Sequence, residues 1–121
     1  ANKPNKLILC FPFISSQDSI IHKGSFENLL GQGLTPDDYD KLSLEKLVGN
    51  HTPETFLWHT FSDTSVCVGN SLVFAQALRN FIIPFELHVY PEGPHGISLC
   101  DEQNKPYATR WFDNLVMWLK R

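Results

Sequence analysis

The chain has 121 residues, enough for one domain with a hydrophobic core and too few for two. Hydrophobic residues make up 42% of it and charged residues 19%, which is typical of a soluble globular protein and excludes a disordered segment. Ten basic and thirteen acidic side chains leave a formal charge of -3, so the sequence predicts no nucleic-acid partner. No apolar run approaches the roughly 20 residues that cross a bilayer, and no signal segment opens the chain, so we expect a cytoplasmic protein without a membrane partner.

The cysteines and histidines show no spacing typical of a disulfide framework or a metal site. Cys10, Cys67 and Cys100 are an odd number without a C-x-x-C pair, and we interpret them as small buried hydrophobic residues in a reducing compartment. The five histidines also lack paired spacing such as H-E-x-x-H. The sequence therefore predicts no metal and no cofactor.

The first apolar run, residues 7–11, predicts a strand. It is short and continuous and is stopped by Pro12, which is typical of a strand buried on both faces of a parallel sheet. Residues 13–53 are mixed and polar. We interpret them as a mostly helical cover inserted before the next strand.

Three short helices are predicted inside this cover. Residues 25–30 favour one helix, which Gly31 ends. Thr35 and Pro36 predict the capped start of a second helix, because threonine can accept a hydrogen bond from the first turn and proline fits the first helical position. Residues 43–47 favour a third.

Strands and helices alternate after residue 53. Residues 55–60 are rich in aromatic and β-branched side chains and predict a strand, and residues 85–90 predict another after a proline stop. Residues 70–80 and 107–120 have helical periodicity. The expected apolar faces of these two helices comprise Leu72, Val73, Ala75, Ala77, Leu78 and Phe81, and Trp111, Leu115, Trp118 and Leu119. This order predicts an α/β fold with about three parallel strands flanked by helices.

Two polar loops follow the second and third predicted strands. Asp63 comes three residues after Thr60, and His95 comes five residues after Tyr90. Because ligands bind at the carboxyl ends of parallel strands, both side chains would lie at one functional edge if these strands are neighbours. An aspartate that accepts the Nδ1 proton of a histidine leaves Nε2 to act as a general base. The alternative is an aspartate that initiates a turn and an ordinary exposed loop histidine.

Five stretches of the chain resemble the carboxyl-terminal part of an α/β-hydrolase. They are residues 7–12, 24–31, 56–66, 70–75 and 84–96. More narrowly, they are similar to bacterial esterases of the acetyl-xylan-esterase-like and dienelactone-hydrolase-like branch. The D-x-x-V motif that begins at Asp63 and the G-P-H-G motif around His95 occur in the family's order and spacing, and the resemblance covers nearly the whole chain.

The resemblance implies that Asp63 is the acid of a catalytic triad and His95 its base. In the chain order of this fold the nucleophilic serine precedes both. No G-x-S-x-G motif is present here, and Cys67 stands where relatives usually have proline. We therefore expect the carboxyl-terminal half of a serine carboxylesterase that acts on short-chain, acetyl-type esters such as those on carbohydrate. By itself the chain should not hydrolyse esters catalytically.

No residue within the chain fits the role of nucleophile. Ser65 and Ser71 follow the strand of the acid, and Ser15 and Ser16 follow the first strand without a glycine for the strained turn. His59 lies within a predicted strand and is interpreted as a packed, hydrogen-bonded histidine.

Two other functions remain open. One is a non-catalytic hydrolase scaffold used for binding or assembly, and the other is part of a peptidase related to prolyl oligopeptidase, which has similar aspartate and histidine loops. The expected partners are a small ester substrate, such as an acetylated saccharide, and the preceding half of the hydrolase. Self-association through the exposed edge of residues 7–11 is the alternative to that second partner.

Overall fold

A computed structural model describes residues 2–99 and 106–121, and it shows three parallel strands in one sheet. The strands are β1, Lys6–Cys10, β2, Glu54–Thr60, and β3, Phe85–Tyr90. β2 lies in the middle, with Leu9 opposite Leu57 on one side and Leu57 opposite Leu87 on the other. The predicted α/β fold with three parallel strands is confirmed. The prediction for Cys100 falls outside the described residues.

Helices occupy the connections between the strands and the segment that follows β3. They are α1, Lys23–Leu30, α2, Pro36–Lys41, a 3-10 helix at Leu44–Leu47, α3, Gly69–Asn80, a second 3-10 helix at Tyr107–Arg110, and α4, Trp111–Leu119. The α2 helix begins as predicted, because the Thr35 hydroxyl accepts from the Asp38 backbone N–H and the Asp38 carboxylate accepts from the Thr35 backbone N–H.

The central strand is buried on both faces, since alternate side chains of β2 point to opposite sides of the sheet. Phe56 and Trp58 pack on one side with a cluster that includes Leu115 and Trp118 of α4. Leu57 packs on the other side with a second cluster. Its members are Ile14, Val48, Phe74 and Leu78. Two covered faces explain why this strand has large apolar side chains at three consecutive positions, Phe56, Leu57 and Trp58.

The cover segment is joined to α3 by one buried amide. The Oδ1 atom of Asn70 accepts from the backbone N–H groups of Ile14 and Ser15 at 2.8 and 2.9 Å, and its Nδ2 group donates to the Ile20 carbonyl at 2.8 Å. These contacts satisfy three backbone groups of the loop after β1. They hold the start of the cover against the helix that follows the Asp63 loop.

The predicted burial of β1 is wrong. Ile8 is 40% exposed, and Leu7 and Leu9 are only half-buried. In the described part of the chain β1 pairs with β2 alone, so one of its edges has no neighbouring strand and its faces are incompletely covered.

Several predicted apolar contacts are also wrong. Leu72, Phe81 and Leu119 are exposed, and so is Cys67. Leu72 lies two residues from the buried Phe74, which places the two on opposite sides of α3. Hydrophobic character alone therefore overstated the width of the buried face.

None of the helices within residues 2–99 and 106–121 is long and apolar enough to span a membrane.

Candidate active site

Asp63 lies in the loop after β2, and its side chain is completely buried. One carboxylate oxygen, Oδ1, accepts hydrogen bonds from the backbone N–H groups of Ser65 at 2.9 Å and Val66 at 2.8 Å. The aspartate therefore does form a turn with its own loop. That turn leaves the second oxygen, Oδ2, to contact the neighbouring loop.

The structure brings Asp63 and His95 together. The Oδ2 atom of Asp63 lies 2.7 Å from Nδ1 of His95, because β2 and β3 are parallel neighbours and their following loops meet at one edge of the sheet. The His95 side chain is 35% exposed. Its Nδ1 atom faces the carboxylate, so Nε2 lies on the opposite side of the ring. The turn and the histidine contact, posed as alternatives by the sequence, are both present.

The loop that carries His95 is attached to the end of β2 through Gly93. The Thr60 hydroxyl donates to the Gly93 carbonyl at 2.7 Å, and the Gly93 N–H donates to the Ser62 hydroxyl at 3.1 Å. The glycine has a φ of +149°, and a Cβ placed on it would lie 2.8 Å from Cγ2 of Thr60. Only a residue without a side chain permits this close approach.

Phe11 forms one side of the His95 environment. The phenyl ring meets the imidazole edge to face, with centroids 4.9 Å apart, and it meets Trp58 in the same way at 5.1 Å. Phe11 has a φ of +40°, which is a strained value for a bulky residue. Its location immediately after β1 was the only sequence signal for this contact.

The hydrogen bonds around Asp63 keep the carboxyl ionised. Burial raises the pKa of Asp63, but the Val66 N–H, the His95 imidazole and the Ser65 N–H together outweigh it and hold that pKa below its ordinary value. A charged aspartate beside Nδ1 accepts the proton of that nitrogen and so fixes the tautomer of His95. The arrangement can therefore support general acid–base chemistry at Nε2.

His59 of β2 lies behind the aspartate and is completely buried. Its Nδ1 atom is 2.7 Å from the Ser71 hydroxyl, and its Nε2 atom is 2.8 Å from the Val66 carbonyl and 3.4 Å from Oδ2 of Asp63. Its interpretation as a packed, hydrogen-bonded histidine agrees with these contacts. The sequence did not reveal that the packing is against the aspartate loop.

Three of the four serines considered as nucleophiles, Ser15, Ser16 and Ser71, have hydroxyl groups that are hydrogen-bonded to other residues. Ser71 is completely buried against His59, and Ser15 is completely buried and donates to Glu45 at 2.6 Å. Among the residues that the structure describes, no serine hydroxyl or cysteine thiol is hydrogen-bonded to His95. The same residues contain no group of three or more His, Cys, Asp or Glu side chains that could hold a metal ion.

A parallel sheet with flanking helices, in which an aspartate and a later histidine pair at the carboxyl ends of neighbouring strands, is characteristic of the α/β-hydrolase class. A model of the prolyl oligopeptidase family matches residues 14–120. The chain belongs to this family of α/β-hydrolases. The resemblance stated from the sequence is confirmed.

Similar proteins carry esterase and xylanase names. Endo-1,4-beta-xylanase B of Butyrivibrio fibrisolvens is 38% identical over 103 residues, which are 85% of this chain and 16% of that protein. Acetylxylan esterase of Xylanibacter ruminicola is 33% identical over an alignment of 122 positions, and the match covers 98% of this chain and 25% of that protein. The chain thus spans a quarter or less of the length of either relative.

A solved structure shares the fold. The acetyl ester-xyloside bifunctional hydrolase from Caldicellulosiruptor lactoaceticus superposes with a TM-score of 0.87 at 41% identity. The match covers 97% of this chain and 42% of that one. The chain thus corresponds to less than half of that hydrolase.

Proposed function

We propose that this chain is the acid-and-base half of a serine carboxylesterase that hydrolyses short-chain, acetyl-type esters, including those on saccharides. The observation that carries the proposal is the 2.7 Å contact between Asp63 Oδ2 and His95 Nδ1. It orients Nε2 away from the carboxylate, where it can exchange a proton with substrate. The nucleophilic serine and the oxyanion-binding groups belong, in this proposal, to a segment outside these 121 residues.

The proposed chemistry uses His95 twice. Its Nε2 atom first accepts the proton of the serine hydroxyl as the serine oxygen bonds to the ester carbonyl carbon, and then gives that proton to the alcohol oxygen as the C–O bond breaks. In the second half-reaction Nε2 accepts a proton from water, which attacks the acyl-enzyme, and returns it to the serine oxygen as the acid leaves. Asp63 stays ionised throughout and stabilises the imidazolium.

The names of the relatives support the substrate class. One curated relative is an acetylxylan esterase, another is a xylanase, and the solved structure with a TM-score of 0.87 is described as an acetyl ester-xyloside bifunctional hydrolase. All three names concern xylan, xylosides or their acetyl esters. An acetylated saccharide is therefore the favoured substrate for the assembled enzyme.

A peptidase is the second candidate, and the family match over residues 14–120 favours it. The proton transfers at His95 would be the same, with an amine in place of the alcohol as the leaving group. The two candidates differ in what the acyl and leaving-group pockets accept, so substrate preference separates them.

The proposed partner is the rest of the hydrolase sheet, paired with β1. Support comes from the unpaired edge of Lys6–Cys10 within the described residues and from the 40% exposure of Ile8. An exposed strand edge presents backbone N–H and C=O groups that a neighbouring strand can satisfy.

The proposed function predicts a His95-dependent and Asp63-dependent esterase in the full-length protein. On p-nitrophenyl acetate, His95→Ala and Asp63→Asn should each lower kcat by on the order of 10⁴-fold, because they remove the general base or its orientation. The 121-residue chain alone should show no saturable rate. Steady-state kinetics with the purified proteins measures both.

His51→Ala is the matched control, because His51 is an exposed turn histidine and its loss should leave kcat unchanged. A His95-dependent rate from the 121-residue chain alone would overturn the division of the triad. If the full-length protein and its His95→Ala variant hydrolyse the ester at the same rate, the result would favour the non-catalytic scaffold. A higher kcat/KM on a prolyl p-nitroanilide than on the acetyl ester would replace the esterase with the peptidase.

A further inference from the structure

A second row of buried polar side chains lies behind Asp63 and His95, the two residues proposed to be catalytic. It consists of His59 on β2 and Ser71 on α3, and both residues are completely buried. Their contacts lead to the loop that holds Asp63. Deeply buried polar groups of this kind are costly unless they are hydrogen-bonded, and a fully satisfied set restricts the local geometry to one arrangement.

The partners of His59 determine its tautomer. The Val66 carbonyl, 2.8 Å from Nε2, can only accept, so Nε2 carries the proton. Nδ1 is then an acceptor, and the Ser71 hydroxyl donates to it across 2.7 Å. Burial lowers the pKa of His59, and this effect is larger than the opposite effects of the Val66 carbonyl and Asp63, which raise it. The ring is therefore neutral near pH 7.

Val66 connects this row to the aspartate. Its backbone N–H donates to Asp63 Oδ1 at 2.8 Å, and its carbonyl accepts from His59 Nε2 at 2.8 Å. The residue is therefore held on one side by the carboxylate and on the other by the imidazole. A shift of Val66 would move one of the two N–H donors of Oδ1 and, with it, the carboxylate that orients His95.

We infer that His59, with its proton placed by Ser71, is a positioning residue that holds Val66 and thereby fixes the carboxylate of Asp63 toward His95. The inference rests on the proposed function. The order Ser71, His59, Asp63 resembles a triad, but it is fully buried and cannot meet substrate, so its effect is exerted through Asp63. In the described residues, His59 and His95 are the titratable groups in contact with Asp63.

A pair of conservative variants in the full-length protein tests this. In His59→Gln the amide NH2 can take the place of Nε2 and donate to the Val66 carbonyl, whereas in His59→Asn the shorter side chain reaches Ser71 and not Val66. We expect His59→Asn to lower kcat on p-nitrophenyl acetate by about 10-fold to 100-fold with KM little changed, because a small displacement of a catalytic group is costly. His59→Gln should recover most of that loss.

A readout independent of activity accompanies the kinetics. Titration of the Asp63 carboxyl carbon by NMR, assigned with Asp63→Asn, should show a higher midpoint in His59→Asn than in the unsubstituted protein, since the Val66 N–H bond is loosened. Thr55→Val is the matched control. It removes a partly buried hydrogen bond of β2, the 2.9 Å bond from the Thr55 hydroxyl to the Pro53 carbonyl, and should change neither kcat nor the midpoint.

Equal kcat and an unchanged Asp63 midpoint in His59→Asn would overturn the inference, as would equal impairment of the Gln and Asn variants. Should His59→Asn not fold, Ser71→Ala serves in its place, because it removes the donor to Nδ1 and should shift the Asp63 midpoint upward. If His95→Ala leaves the rate intact, the proposed function fails, and the Asp63 midpoint still decides the role of His59.

Discussion

Asp63 shows how one side chain can hold its own loop and a neighbouring histidine at the same time. Its Oδ1 atom closes the turn with Ser65 and Val66, and its Oδ2 atom holds His95. Because the two oxygens have separate partners, the carboxylate that orients the imidazole is itself fixed by the backbone. This division lets a buried aspartate remain ionised, since hydrogen bonds to the charged form offset the cost of its burial.

Acid should destabilise the fold in two pH windows. The pKa of His59 is lowered in the folded state, so the unfolded chain takes up a proton first, and stability falls as pH drops below about 6.5. The pKa of Asp63 is also lowered, so its contribution is present above about 3.9 and is lost as pH falls further. Urea unfolding at pH 7.5 and 5.0 measures the first window.

His59→Gln is the comparison for that first window, because glutamine does not titrate. We expect the unsubstituted protein to lose more unfolding free energy between pH 7.5 and 5.0 than His59→Gln loses. Parallel losses in the two proteins would contradict the assignment of this window to His59.

At the scale of elements, the loop after β3 depends on its distance from the end of β2. Thr60 is buried and donates to the Gly93 carbonyl, so its methyl group cannot rotate away without breaking that bond. The close approach brings His95 over the Asp63 loop. The packing of two strand ends, and not the histidine loop alone, therefore determines where the imidazole lies.

Gly93→Ala should be destabilising by about 1–3 kcal/mol, because the new methyl group would lie 2.8 Å from Cγ2 of Thr60 at a φ of +149°. The esterase activity proposed for the full-length protein should fall as His95 is displaced. Gly96→Ala is the control. Gly96 also has a positive φ, +78°, but in the described structure no atom lies within 4 Å of its added Cβ, so backbone strain of about 1 kcal/mol is expected. Thermal unfolding measures both, and equal effects would contradict the clash.

At the scale of the whole molecule, the sheet is covered on both faces around β2 and open along β1. The two apolar clusters lie on opposite sides of the central strand and hold the helices to it. β1 contributes half-buried side chains to both faces and has one free edge in the described part of the chain. The molecule therefore has a well-packed centre and, at β1, a partly exposed strand whose outer edge is unpaired in the described residues.

The 121-residue chain should self-associate through the unpaired edge of β1. Ile8→Lys would place a charge on β1 at an exposed position, which discourages strand-to-strand pairing. We expect sedimentation velocity to show concentration-dependent dimers or larger species for the unsubstituted chain and fewer for Ile8→Lys. A monomer at all concentrations would contradict an edge that needs a partner.

Much of the fold could be predicted because its signals are local. The cap at Thr35, the stop at Pro84 and the aromatic and β-branched residues of β2 are each signals from a few adjacent residues, and the observed elements begin or end near those residues. Exposure was predicted less well. Leu72 and Ile8 are hydrophobic, but whether another element covers them depends on packing between distant parts of the chain.

For the site, the sequence by itself determined that Asp63 and His95 follow strands in the order expected of a hydrolase, and a known pattern of motifs connected them to a family. Only the tertiary structure decided that the two side chains meet at 2.7 Å and that His59 is hydrogen-bonded to Val66 in the aspartate loop. The reason is physical. The spacing of motifs can be counted along the sequence. Contact between residues 32 positions apart also requires that β2 and β3 pair in one register.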